Sequence, residues 1–128
     1  MKPETQEWVD KAEGDLKVAR REMQSADAVW NVVCFLAQQC AEKYLKAFLE
    51  EHSIAFKKSH DLVTLLNSSG GLLPEIEPLR RQLAHLGVFG IATRYPGVQA
   101  DQRAAEDAIE TAEEVRAVIR MKFGFSLP

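Results

Sequence analysis

Gln39, Lys43 and Lys46 follow one another at i, i+4 and i+7, and Gln38 and Glu42 form a neighbouring i, i+4 row. On a helix each set shares one face. Two ammonium groups beside two amides suit an anionic group, because cations supply the charge and amides can bridge to a ligand, a loop backbone or a partner helix. A solvated face bonded to neighbouring helices, or a dimer seam, explains the same pattern. Arg94-Tyr95-Pro96 is a second candidate, since a loop guanidinium can grip a phosphate bidentately and a tyrosine can stack on a base. Its competing reading has Tyr95 packed on the protein body and Arg94 paired with Glu42 or another buried acid.

His60 precedes Asp61, which suits the start of a helix, and Lys57 and Lys58 stand just before it. If that loop folds back, Lys43, Lys46, His60 and Arg94 converge on one cleft for a phosphate or an RNA backbone. Other chemistries find no support in the spacing. Gly70-Gly71 lacks the following Lys and Ser or Thr of a phosphate loop, and three dispersed His with two same-helix Cys make no metal set. Ser59, His60 and Asp61 are adjacent and cannot form a triad. No cofactor and no metal is expected.

The elements that must position these residues are helical. Trp8, Ala12, Leu16, Ala19 and Met23 recur at helical spacing and predict a first helix from Thr5 to Met23. Val33, Ala37, Cys40, Tyr44 and Phe48 predict a long second helix, capped by Ser25 or Asp27 and buried nearly all round in its first half. Asp61 opens a short third helix, stopped by Gly70 and Gly71. Ile76, Leu79, Leu83 and Leu86 predict a fourth helix ending at Gly87, with Pro74 and Pro78 near its start. "GVFGIATRYPGV" reads as a long loop. Asp101 opens the last helix, whose Ala105, Ala108, Ala112, Val115, Ile119 and Phe123 face inward. No window alternates like a strand, so the expected fold is all-α: one domain over residues 1–128, an up-and-down antiparallel bundle of four to five helices.

Composition agrees with that size and class. The chain has 128 residues, 46% hydrophobic and 27% charged, which suits a folded domain. A formal charge of −3 gives no general pull toward nucleic acid, so RNA binding would need a local basic patch. The longest apolar run is too short to span a bilayer, and no signal-peptide layout opens the chain, so a cytoplasmic protein is expected. Cys34 and Cys40 are separated along their helix by roughly 9 Å, too far for one disulfide, and are expected as buried thiols.

Trp8 with "AEGDLKVA", "CFLAQQCAEKYLKAFL", "SHDLVTLL" and "IATRYPG", in that order and spacing, together resemble the HEPN family, the higher eukaryotes and prokaryotes nucleotide-binding domain. The branch carrying an Arg-Tyr-Pro motif is the nearest in pattern. The resemblance implies a bundle that commonly forms a homodimer and binds nucleotide or RNA. It also implies work beside a separately encoded minimal nucleotidyltransferase, in a toxin-antitoxin-like pair. Some members are metal-independent ribonucleases with an Arg, four to six residues and a His. Arg80 and His85 meet that spacing, with Arg81 where such members commonly carry Asn, Asp or His. In that reading Arg80 would stabilise phosphate charge and His85 would move a 2′-hydroxyl proton. On a straight helix, however, positions i and i+5 lie about 140° apart, so convergence requires His85 on a frayed last turn. A purely structural dimerisation bundle is the third reading.

Overall fold

The computed structural model describes residues 1–125. Helix α1 spans Pro3–Met23, α2 Trp30–Glu51, α3 Leu62–Ser68, α4 Arg80–Ala92 and α5 Gln102–Lys122, and a 3-10 turn at Glu77–Leu79 runs directly into α4. No strand occurs among the described residues. The all-α bundle expected from periodicity is the observed architecture.

Local sequence explains most of the boundaries. Pro3 occupies the first turn of α1, where its missing N–H costs nothing, and Arg20 and Arg21 complement the dipole in the last turn. Asp61 accepts from the amides of Val63 and Thr64 at 3.0 and 3.2 Å and starts α3, while Asp101 accepts from Ala104 at 2.8 Å and starts α5. The start of α2 differs from expectation: neither Ser25 nor Asp27 caps it. The N-cap is Val29, whose amide donates to the Glu22 carboxylate on α1 at 2.7 Å, and Ser25 instead donates to Asp27. A carboxylate from the preceding helix does the work of a local cap.

α4 also departs from expectation. It does not end at Gly87 but continues through "VFGIA" to Ala92, so half of the expected loop is helix. Gly87 and Gly90 are there for packing. A Cβ built on Gly90 would lie 2.6 Å from Gln38 Cβ and 3.1 Å from the Cys34 carbonyl oxygen, so only glycine lets α4 approach α2 this closely. The helix closes at Thr93, whose hydroxyl donates to the Gly90 carbonyl at 2.7 Å.

Helix α2 is the centre, with α1, α3, α4 and α5 all packed against it. Val33, Cys34, Ala37, Cys40, Ala41, Tyr44, Leu45 and Phe48 of α2 are all fully buried. Into this core α1 contributes Val9, Ala12 and Leu16, and α5 contributes Ala105, Ala112, Val115 and Ile119. Where α1, α2 and α5 meet, Glu13 takes a bidentate contact from Arg116 at 2.7 and 3.0 Å and a short hydrogen bond from the Tyr44 hydroxyl. Burial pushes the Glu13 carboxyl up, but the Arg116 and Tyr44 hydrogen bonds outweigh it and hold its pKa below the ordinary value.

Candidate anion-binding face

One side of α2 carries Phe35, Gln39, Glu42 and Lys46 in a single row at helical spacing, with Gln38 beside it. Three other elements lean over this row. The connection before α3 brings His60, the end of α4 brings Arg94, and α1 brings Trp8.

Glu42 is the hub. Its side chain is 4% exposed, and it receives Lys46 Nζ at 2.8 Å, Gln38 Nε2 at 3.1 Å and His60 Nδ1 at 2.8 Å. Burial would raise this carboxyl, but the hydrogen bonds from Lys46, His60 and Gln38 outweigh it and leave the pKa lowered. Glu42 is therefore ionised at neutral pH, and an ionised carboxylate takes Nδ1–H of His60 as donor, which directs Nε2 outward. The His60 side chain is 68% exposed, so that nitrogen faces solvent. Gln38 also donates to the His60 backbone carbonyl at 3.0 Å, and Gln39 donates to Gln38 at 2.7 Å. The adjacent glutamines thus tie the loop before α3 onto the central helix.

At the other end of the row the Arg94 guanidinium stacks on Phe35, 4.8 Å from the ring centroid. It makes no ion pair with Glu42 or with any other described residue. Stacking on an exposed ring gives only about 0.5–1 kcal/mol, enough to orient the group while its N–H donors stay available. Tyr95 does not pack on the bundle; it is 62% exposed. Asn31 at the start of α2 fixes the loop, accepting from the Ala100 amide at 2.7 Å and from the Thr93 hydroxyl through its carbonyl at 3.2 Å.

The expected convergence is realised in part. Lys46 and His60 meet on Glu42, and Arg94 lies over the same row about two helical turns, roughly 10 Å, from Glu42. Lys43 stands apart, because its ammonium is held by Asp15 of α1 at 2.6 Å. Lys46 is also spoken for, neutralising Glu42 and lying 5.4 Å from the Trp8 ring centroid. Arg94 accordingly sets the sign of the face. Phe35 and Glu42 went unassigned in the sequence reading, although the Glu42–Lys46 spacing of four signalled an ion pair. Arg80 and His85 do not form a unit: Arg80 forks onto Glu77 at 2.9–3.1 Å, while the His85 ring stacks on Phe89 with centroids 5.3 Å apart. With α4 continuing to Ala92, His85 sits in mid-helix and not on a frayed end.

A five-helix bundle that holds an unpaired, pre-oriented guanidinium beside a buried carboxylate hub belongs among helical binding modules. The family model for the HEPN domain matches residues 5–122, and the chain belongs to the HEPN family. The crystal structure of an archaeal HEPN homologue superposes with a TM-score of 0.73 at 25% identity, covering 95% of this chain and 98% of that one. A comparison with curated proteins finds no match. Among the described residues no helix is long and apolar enough to cross a membrane, and no group of three or more His, Cys, Asp or Glu could hold a metal ion.

Proposed function

We propose that this chain is a single-domain, cytoplasmic HEPN module of the Arg-Tyr-Pro branch, and that the α2 face binds a nucleotide or RNA through phosphate. Arg94 is the principal anchor, Tyr95 and Phe35 offer stacking surface, and Gln39 and the outward Nε2 of His60 supply further polar contacts. The module acts as a homodimer beside a separately encoded minimal nucleotidyltransferase, in a toxin-antitoxin-like pair.

The observation that carries this reading is Arg94 itself, stacked on Phe35 with no anion from the protein to occupy it. A structural arginine would pair with an acid or cap a helix. In Arg94→Ala, binding of a mononucleotide or short RNA should weaken by about 1.5–3 kcal/mol, the range for a charge-assisted hydrogen bond, with the melting temperature nearly constant. Loss of melting temperature with binding absent or unchanged would make Arg94 a structural tie and end the proposal. Metal-independent ribonuclease action by Arg80 and His85 draws no support from the geometry, because Glu77 occupies the guanidinium and Phe89 the imidazole face.

A further inference from the structure

Away from the α2 face, α4 and α5 diverge around a groove of about 550 Å3. Its floor is Leu86, Phe89, Ala104 and Ala108, and its α5 wall carries Asp107, Glu110 and Glu114. Neither Glu110 nor Glu114 has a hydrogen bond or ion pair with a described residue. Arg81, on the α4 wall, is equally unpaired. On its outward side α4 exposes Arg81, Ala84, His85 and Val88 at i, i+3, i+4 and i+7. Val88 is 74% exposed, the highest figure among the large apolar side chains described.

We propose that this groove and the outer stripe of α4 form the interface between two copies of the chain, α4 of each lying in the α4/α5 groove of the other. The proposal rests on the dimer named under Proposed function and specifies its face.

Three features select a second copy as the occupant. The first is length: the groove runs along α5 from Asp101 to Glu114, roughly 20 Å, which is also the length of the 13-residue α4. The second is charge. An acidic wall on α5 and an unpaired arginine on α4 are present in every chain, so a two-fold arrangement satisfies both twice. Acids run the whole length of the wall, so Arg81 of a second copy meets a carboxylate in either direction. The third is shape, because Ala84 at the middle of the stripe permits close approach while Val88 supplies the apolar area to be buried, and small residues at Ala104 and Ala108 leave room for it.

Sedimentation of the full chain between 1 and 100 µM tests the interface. The unaltered chain should be a dimer, and Val88→Asp and Arg81→Glu should each weaken it at least tenfold with unchanged helical circular dichroism; both positions are exposed, so the fold tolerates the changes. Ala84→Cys should give a disulfide-linked dimer on mild oxidation, since the native Cys34 and Cys40 are buried. A dimer unaffected by both substitutions and not cross-linked through position 84 would overturn this face while leaving the dimer standing. A monomer at every concentration would overturn the dimer as well.

Discussion

Gly90 of α4 lies so close to α2 that a methyl group placed on it would stand 2.6 Å from Gln38 Cβ. Gln38 in turn holds Glu42 and the His60 carbonyl. The crossing of two helices is therefore coupled to the polar face. Gly90→Ala gains up to about 1 kcal/mol of helix propensity but incurs about 1–3 kcal/mol of overpacking, for a net loss. Gly87 is the control, since a Cβ there meets Leu62 at an ordinary 3.5 Å. Gly87→Ala should hold or raise the melting temperature, and Gly90→Ala should lower it. The opposite ranking in thermal melts would refute the crossing argument.

Glu42 and Glu13 both carry lowered pKa values, so the unfolded chain binds more protons than the folded one in acid. Their stabilising contribution is complete above the ordinary carboxylate range and is lost as pH falls through the folded values. Glu42→Gln leaves Lys46 without its anion and should lower stability by about 3 kcal/mol at pH 7. It should also flatten the acid limb of a denaturation series. An acid limb as steep as that of the unaltered chain would show that Glu42 is not one of the groups responsible.

Two cations expected in one cleft have different surroundings, and binding assays should separate them. Lys43 is held by Asp15, whereas Arg94 is unpaired. Lys43→Ala should leave short-RNA affinity within about twofold, a surface salt bridge being worth only about 0–1 kcal/mol to the fold. Equal losses for Lys43→Ala and Arg94→Ala would place the ligand elsewhere on α2.

Tyr44 is fully buried, and its hydroxyl donates to Glu13 while accepting from Arg120 at 3.3 Å. Burial and then the Glu13 carboxylate push its pKa well up. Tyr44→Phe should cost about 1.5–3 kcal/mol, the range for a hydrogen bond to a charged group, measured by urea titration. A change under 0.5 kcal/mol would show that Arg116 alone satisfies Glu13.

The thiols of Cys34 and Cys40 are fully buried, and burial raises both pKa values, Cys34 to about 11. Neither should react with an aromatic disulfide reagent in the native state at pH 8, and both should react on unfolding. Fast labelling of the folded chain would contradict the burial.

How much could be read in advance depended on whether a signal was local. α1 and α5 were legible because apolar spacing and the Asp101 cap are properties of neighbouring residues. The end of α4 was not, since a glycine that stops a helix and one that admits a neighbouring helix look alike until Gln38 and Cys34 are in place. The start of α2 was missed for the same reason, its amide being taken by Glu22 of another helix. At the site, the row on α2 was visible from spacing, but its division was not. Asp15 removes Lys43 from the row and Glu42 draws His60 to it, both contacts between residues distant in sequence.

Because α1, α3, α4 and α5 all rest on α2, no fragment lacking that helix retains a core to close around. The amides of Ala41–Leu45 should consequently exchange with deuterium only when the whole chain opens, at a rate set by global stability. α3 and the 3-10 turn, short and at the edge, should exchange earlier through local opening. His60 hangs from that early-opening edge, while Glu42 is fixed in the last-opening helix. The two halves of one hydrogen-bonded pair thus belong to different cooperative units, and a ligand that bridges them should slow exchange in α3 while leaving α2 unchanged.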